Sequence, residues 1–261
     1  MTSIKLNQRL KTTAFIALVS SLIIFVSSCK TKSTSSTGTI YIHMHTDIDT
    51  NEVADDTTLY DDGTGRHFSL STGQFYITDI SLHNLTGTTY KFSGVYVLKT
   101  IGTEQYLVGQ APVGTYDNVS FTVGVSAADN SIAPSSFAST HALNNTDMWF
   151  GNTTEGYMFV KVEGKADTTA AQTGANLKPF VYEIGGATNL RTVTMPTRSG
   201  SMVPYILTSG GTQYVHMTCD FSKLLSGVNF KTDNNLTSPT ANPTLATTIA
   251  NNIGSMFEYE E

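Results

Sequence analysis

The run "YIHMHTD" (Tyr41 to Asp47) sets two histidines one residue apart. On an extended strand, residues two apart share a face with roughly 6.6 Å between their Cα atoms, so two imidazoles can lean onto one ion. Imidazole nitrogen suits copper and zinc. The same spacing also fits two polar rings on a solvated face opposite the apolar Ile40, Ile42 and Met44. A metal site needs a third donor, and His216 in "YVHMTCD" is the best placed, because on a strand it points away from Met217 and Cys219. A histidine hydrogen-bonded to its strand neighbours is the competing reading there. The metal set read from the sequence is His43, His45 and His216.

Other residues carry less. His67, His83 and His141 read as surface or turn residues. The thioethers of Met44, Met195 and Met202 and the thiol of Cys219 are donors for soft ions, but such side chains usually fill cores. Trp149, the one tryptophan, reads as a core anchor or a lid beside a long loop. The acidic run from Asp47 to Gly63 has Glu52 where a calcium loop needs glycine and Thr58 where it needs glutamate, so it is not an EF-hand. No nucleophile elbow, P-loop, HExxH or Ser/His/Asp set is present, and Glu155 and Glu163 make no paired-carboxylate pattern. The chain is expected not to be an enzyme.

Strands must hold these side chains. Short runs rich in Val, Ile, Tyr, Phe and Thr recur from Gly38 onward, separated by Gly, Asn and Asp. They are "TIYIHMH" (Thr39 to His45), "HFSLS" (His67 to Ser71), "QFYITDISLHN" (Gln74 to Asn84), "VYVLKTI" (Val95 to Ile101) and "NVSFTVGVS" (Asn118 to Ser126). "GYMFVKVEG" (Gly156 to Gly164), "FVYEI" (Phe180 to Ile184), "RTVTM" (Arg191 to Met195) and "TQYVHMTCD" (Thr212 to Asp220) complete the set. Their period of two and the lack of helices between them predict an all-β fold, an antiparallel β-sandwich. A short C-terminal helix follows, with Asn242 as N-cap, Pro243 in the first turn and Leu245, Ile249, Ile253 and Phe257 on one face. Residues 127–146 read as a long loop with a turn of helix, a type more often functional than accidental.

The N-terminus gives an address. Lys5, Arg9 and Lys11 precede an apolar stretch from Ala14 to Val26 that is too short to span a bilayer comfortably. "VSSC" (Val26 to Cys29) resembles the lipobox of bacterial lipoproteins, which implies cleavage before Cys29 and its acylation. The expected organisation is a lipoprotein signal peptide over 1–28, a lipidated Cys29 with a Ser/Thr-rich tether over 29–38, and one folded domain over 39–261. The expected location is the bacterial cell envelope, held to a membrane by the lipid. The outer membrane is favoured because Lys30, not an acidic retention signal, follows Cys29. With Cys29 acylated, Cys219 has no disulfide partner. Losing the three basic residues of the leader takes the formal charge from −6 to −9, which argues against nucleic acid as a partner.

Four spaced segments, taken in order, resemble the MbnP-like family of bacterial envelope proteins, named for a periplasmic copper-binding protein associated with methanobactin. They are "FSLSTGQFYITDISLHN" (Phe68 to Asn84), "APVGTYDNVSFTVGVSAADN" (Ala111 to Asn130), "DMWFGNTTEGYMFVKVEG" (Asp147 to Gly164) and "IANNIGSMF" (Ile249 to Phe257). The resemblance implies a β-sandwich, copper as the bound metal and a di-haem peroxidase as a partner. It also implies an oxidisable tryptophan beside the copper-binding histidines, for which Trp149 is the one candidate. The chain departs from the family pattern at Glu183, in "VYEIGG", where relatives often have histidine. Two functions follow: a copper-binding envelope lipoprotein for storage, scavenging or delivery, or a non-metal sandwich that binds an envelope protein or a glycan. In the first, His43, His45 and His216 cluster; in the second, they scatter.

Overall fold

The computed structural model describes residues 36–53, 56–195 and 204–260. The expected signal peptide, Cys29 and most of the tether lie outside these residues, as does Met202. In chain order the strands are β1 (Thr37–Ile48), β2 (Asn51–Glu52), β3 (Tyr60–Asp61), β4 (His67–Asn84), β5 (Thr89–Lys91), β6 (Val97–Lys99), β7 (Gln105–Pro112) and β8 (Gly114–Val123). They continue with β9 (Met158–Asp167), β10 (Leu177–Gly185), β11 (Arg191–Met195), β12 (Tyr205–Leu207), β13 (Thr212–Asp220), β14 (Asn235–Leu236) and β15 (Phe257–Tyr259). The helices are α1 (Phe221–Leu224) and α2 (Pro243–Met256).

The strands form two sheets, as an all-β fold requires. The smaller runs β15-β13-β1-β2, with β7 also on β1, and the larger runs β11-β8-β4-β9-β10-β14 with shorter strands at its margins. Most pairs are antiparallel, as expected, while β1 lies parallel to β13, and β10 parallel to β14. Parallel pairing of β1 with β13 is sterically open because the two strands are far apart in sequence and need no hairpin between them.

Alternation along β1 sends Ile40, Ile42, Met44 and Ile48 inward, and β13 does the same with Val215, Met217 and Cys219. These side chains join the inner face of the larger sheet in one continuous core. Two runs expected as separate strands are one 18-residue strand, β4. Gly73 lies within it, and a Cβ there would meet the Phe221 ring at 2.7 Å. The missing side chain makes room for the ring, and a register shift between Leu70 and Thr72 absorbs the irregularity.

Helix α2 starts as expected, with Leu245 N donating to the Asn242 side chain and Leu245, Ile249 and Ile253 buried. It ends one residue early, since Phe257 opens β15 and pairs with Cys219. The Phe257 ring meets Phe75 at 5.6 Å and Phe121 at 5.0 Å, both edge to face, and so ties the smaller sheet to the larger. Phe257→Ala is expected to cost about 3–5 kcal/mol, measured as a loss in urea midpoint.

A second cluster lies on the opposite face of the larger sheet. Tyr76 of β4 points there, away from Phe75 and Ile77, and meets Leu143, Met148 and Tyr157. The long segment over residues 127–146 is therefore a packed cover, with two 3-10 turns at Pro134–Ser136 and Thr146–Met148 bracketing its second half. Among the described residues, no helix is long and apolar enough to cross a membrane.

Candidate metal centre

The outer face of the smaller sheet carries the site. Parallel pairing places Tyr41 beside Tyr214 and His43 beside His216, one step apart on the same face. The tyrosine rings stack at 5.3 Å. His43 lies 4.6 Å from the His45 ring and 4.9 Å from the His216 ring, centroid to centroid. The three histidines singled out in the sequence thus meet, with His43 in the middle.

The contact between His43 and His216 is through nitrogen: their Nδ1 atoms face each other at 3.1 Å. Two nitrogens bound to one ion at about 2.0–2.1 Å each, with a bond angle between square and tetrahedral, lie about 3 Å apart, so this pair fits a shared cation. Without one, a single N–H···N hydrogen bond joins the rings, the donor being whichever ring carries its proton on Nδ1. Burial, and next the neighbouring His43, hold the His216 pKa below its ordinary 6.5, with Glu260 pulling the other way. Neutral imidazole is the ligating form.

Two glutamates complete the cluster, and neither stands out in the sequence. Glu104 approaches His43 Nε2 at 3.4 Å and His45 Nδ1 at 3.6 Å. Glu260 approaches His45 Nε2 at 3.6 Å. One donor atom each from His43, His45 and Glu260 lie within 4.8 Å of one another. The backbone fixes both acids: Met44 N donates to Glu104 O at 2.8 Å, and Glu260 N donates to His216 O at 3.3 Å. Behind Glu104, the fully buried Lys99 donates from Nζ to the carbonyls of Thr100 and Thr103, at 2.8 and 2.9 Å. Tyr106 Oη clamps the same turn, donating to Thr103 O and accepting from Thr100 N. The turn that presents Glu104 is therefore held at both ends.

The remaining histidines are occupied by protein partners. His67 Nδ1 meets Gln172 O, His83 bonds Thr89 and Ser120, and His141 accepts from Leu143 N. Trp149 is not brought to the histidines. It packs at 4.7 Å on Tyr157 in the second cluster, on the far side of the larger sheet, so the expectation of a near-site aromatic is corrected in favour of an anchor. Glu183 sits on β10 opposite Lys161, also in the larger sheet. Glu183, the departure from the pattern that the resemblance implies, is therefore away from this cluster. Met44 and Cys219 point into the core, and Met195 is fully buried.

The depressed His216 pKa sets a pH dependence. The unfolded ring takes up a proton more readily than the folded one, so this contribution to stability is present above pH 6.5 and is lost as pH falls below it. The urea midpoint is expected to drop between about pH 7 and about pH 5, and to drop less in His216→Gln.

A family model described as MbnP matches residues 37–242. The solved structure of MbnP from Methylosinus trichosporium superposes with a TM-score of 0.54 at 14% identity, covering 75% of this chain and 80% of that one. At that identity the likeness is one of fold. No curated protein matches the chain.

Proposed function

The chain belongs to the MbnP family, and from that premise we propose that it binds copper as cargo, for storage, scavenging or delivery, while held to a membrane in the bacterial cell envelope. The observation that carries the reading is the pair of facing nitrogens on His43 and His216 at 3.1 Å, with His45, Glu104 and Glu260 around them. Nitrogen donors suit copper, while the carboxylates balance its charge. The rings and acids stay partly open to solvent, from 13% for the His43 side chain to 44% for Glu260. An ion so placed can be loaded and surrendered from outside, unlike one in a closed structural site. The lipid on Cys29 and the outer-membrane location belong to the same proposal, and rest on the lipobox and on Lys30. No catalytic role is included.

The test uses the full-length chain extracted from membranes in detergent and titrated with Cu(II). Saturable uptake, with nitrogen couplings in the electron paramagnetic resonance spectrum, is expected. A protein that takes up no copper would overturn the proposal. The stacked Tyr41 and Tyr214 beside the 59%-exposed Leu107 favour the second reading, a surface for a glycan or protein partner, and that reading would then lead.

A further inference from the structure

His45 has carboxylates on both sides of its ring. Nδ1 faces Glu104 Oε1 and Nε2 faces Glu260 Oε2, each at 3.6 Å. The two nitrogens of one imidazole diverge, so they cannot serve one ion together. The donors around His45 fall into two sets accordingly. His43, His45 and Glu260 supply one, and His45, Glu52 and Glu104 the other, with donor atoms inside 4.8 Å in each. Glu52 is placed by the β1–β2 pairing, opposite Asp47, and its neighbour Val53 donates from N to Thr46 O at 2.8 Å. Three carboxylates thus surround one histidine. Among the described residues, none of the three lies within ion-pair distance of a lysine or arginine. Lys99, buried behind Glu104 and acting electrostatically on it, offers one positive charge against three negative ones.

We propose that the cluster takes two cations, one on each side of His45, with Glu52 and Glu104 completing the second position. This rests on the metal-binding reading above and extends it in number and class. The first position, rich in nitrogen with His43 and His216, takes copper. The second, with one nitrogen and two carboxylates, takes a harder divalent ion such as zinc, or a second Cu(II). When both positions fill, each His45 nitrogen gives its lone pair to one cation, and the ring N–H proton passes to solvent.

The experiment loads the full-length chain in detergent with Cu(II), with Zn(II), and with both, then desalts it and measures metal per chain by mass spectrometry of the elements. Wild-type protein is expected to keep two equivalents. Glu52→Gln, at an exposed position that leaves the fold untouched, is expected to keep one, with the affinity for the second lowered by more than about 100-fold, beyond what a change outside the ligand shell costs. Glu104→Gln is expected to lose the second equivalent too, and His45→Ala to lose it and weaken the first. With two Cu(II) bound, magnetic coupling through the ring lowers the resonance signal per copper, and Glu52→Gln restores it. One equivalent in wild-type protein would overturn this inference and leave the copper proposal standing, as would two retained by Glu52→Gln. No metal at all would sink both.

Discussion

His43→Ala is expected to remove copper binding while leaving the sheet folded. His43 is the residue through which the cluster is connected: its ring touches His45 and His216, its Nδ1 faces a second nitrogen, and its Nε2 faces Glu104. Taking it away leaves His45 and His216 with no common neighbour among the rings. Changes outside a ligand shell already cost metal affinity about 10–100-fold, so loss of this central ligand should cost more. The ring stands on the outer face and leaves the core of Ile42 and Met44 intact, so the stability of the metal-free protein should move by no more than about 1 kcal/mol. The readout is the melting shift caused by Cu(II). In wild-type protein, a hundredfold excess over the dissociation constant adds about 2.7 kcal/mol, and in His43→Ala this shift should vanish. An undiminished shift would place the copper elsewhere on the molecule.

Gly164→Ala is expected to give a large loss of stability for the addition of a single methyl group. Gly164 sits mid-strand in β9, between Leu70 of β4 and Phe180 of β10. A Cβ there would come 2.0 Å from the Ser69 carbonyl oxygen and 2.7 Å from the Phe180 ring. The first contact is with backbone that is itself part of the sheet, so relief requires the β4–β9 pairing to part, not merely a side chain to turn. Overpacking usually costs 1–3 kcal/mol, and a backbone collision belongs at or above the top of that range, about 3 kcal/mol or more. For a domain of this size that is a melting point roughly 6–12 °C lower. Gly63→Ala is the control. Its φ of +83° disfavours alanine, but nothing lies within 4 Å, so it should cost only about 1 kcal/mol.

The sequence showed the alternation of β1 and β13 plainly, because inward Ile, Met and Val separate outward Tyr and His on both strands. The strand bounds of β11 and β13 follow from the same pattern. It did not show that these strands are neighbours, since pairing across 173 residues leaves no local trace. β7 escaped notice because Gly109 and Pro112 interrupt its apolar pattern, and Gly109 accommodates a bulge against β1 at a φ of +145°. Glu104 went unseen with it, as the residue just before that strand. Glu260 lies just after β15, where no periodicity points to it; its place follows only once β15 is laid against β13. Trp149 was legible as a large apolar residue, but its side of the molecule depended on where the long cover folds back.

The parallel pairing of β1 with β13 has a consequence for biosynthesis. The ribosome finishes His43 long before it reaches His216, and Glu260 comes later still. A partly made chain therefore lacks His216 and Glu260, and a premature stop ahead of Thr212 yields a polypeptide that cannot bring either to His43. The facing nitrogens of His43 and His216 therefore exist only in molecules whose translation has passed β13.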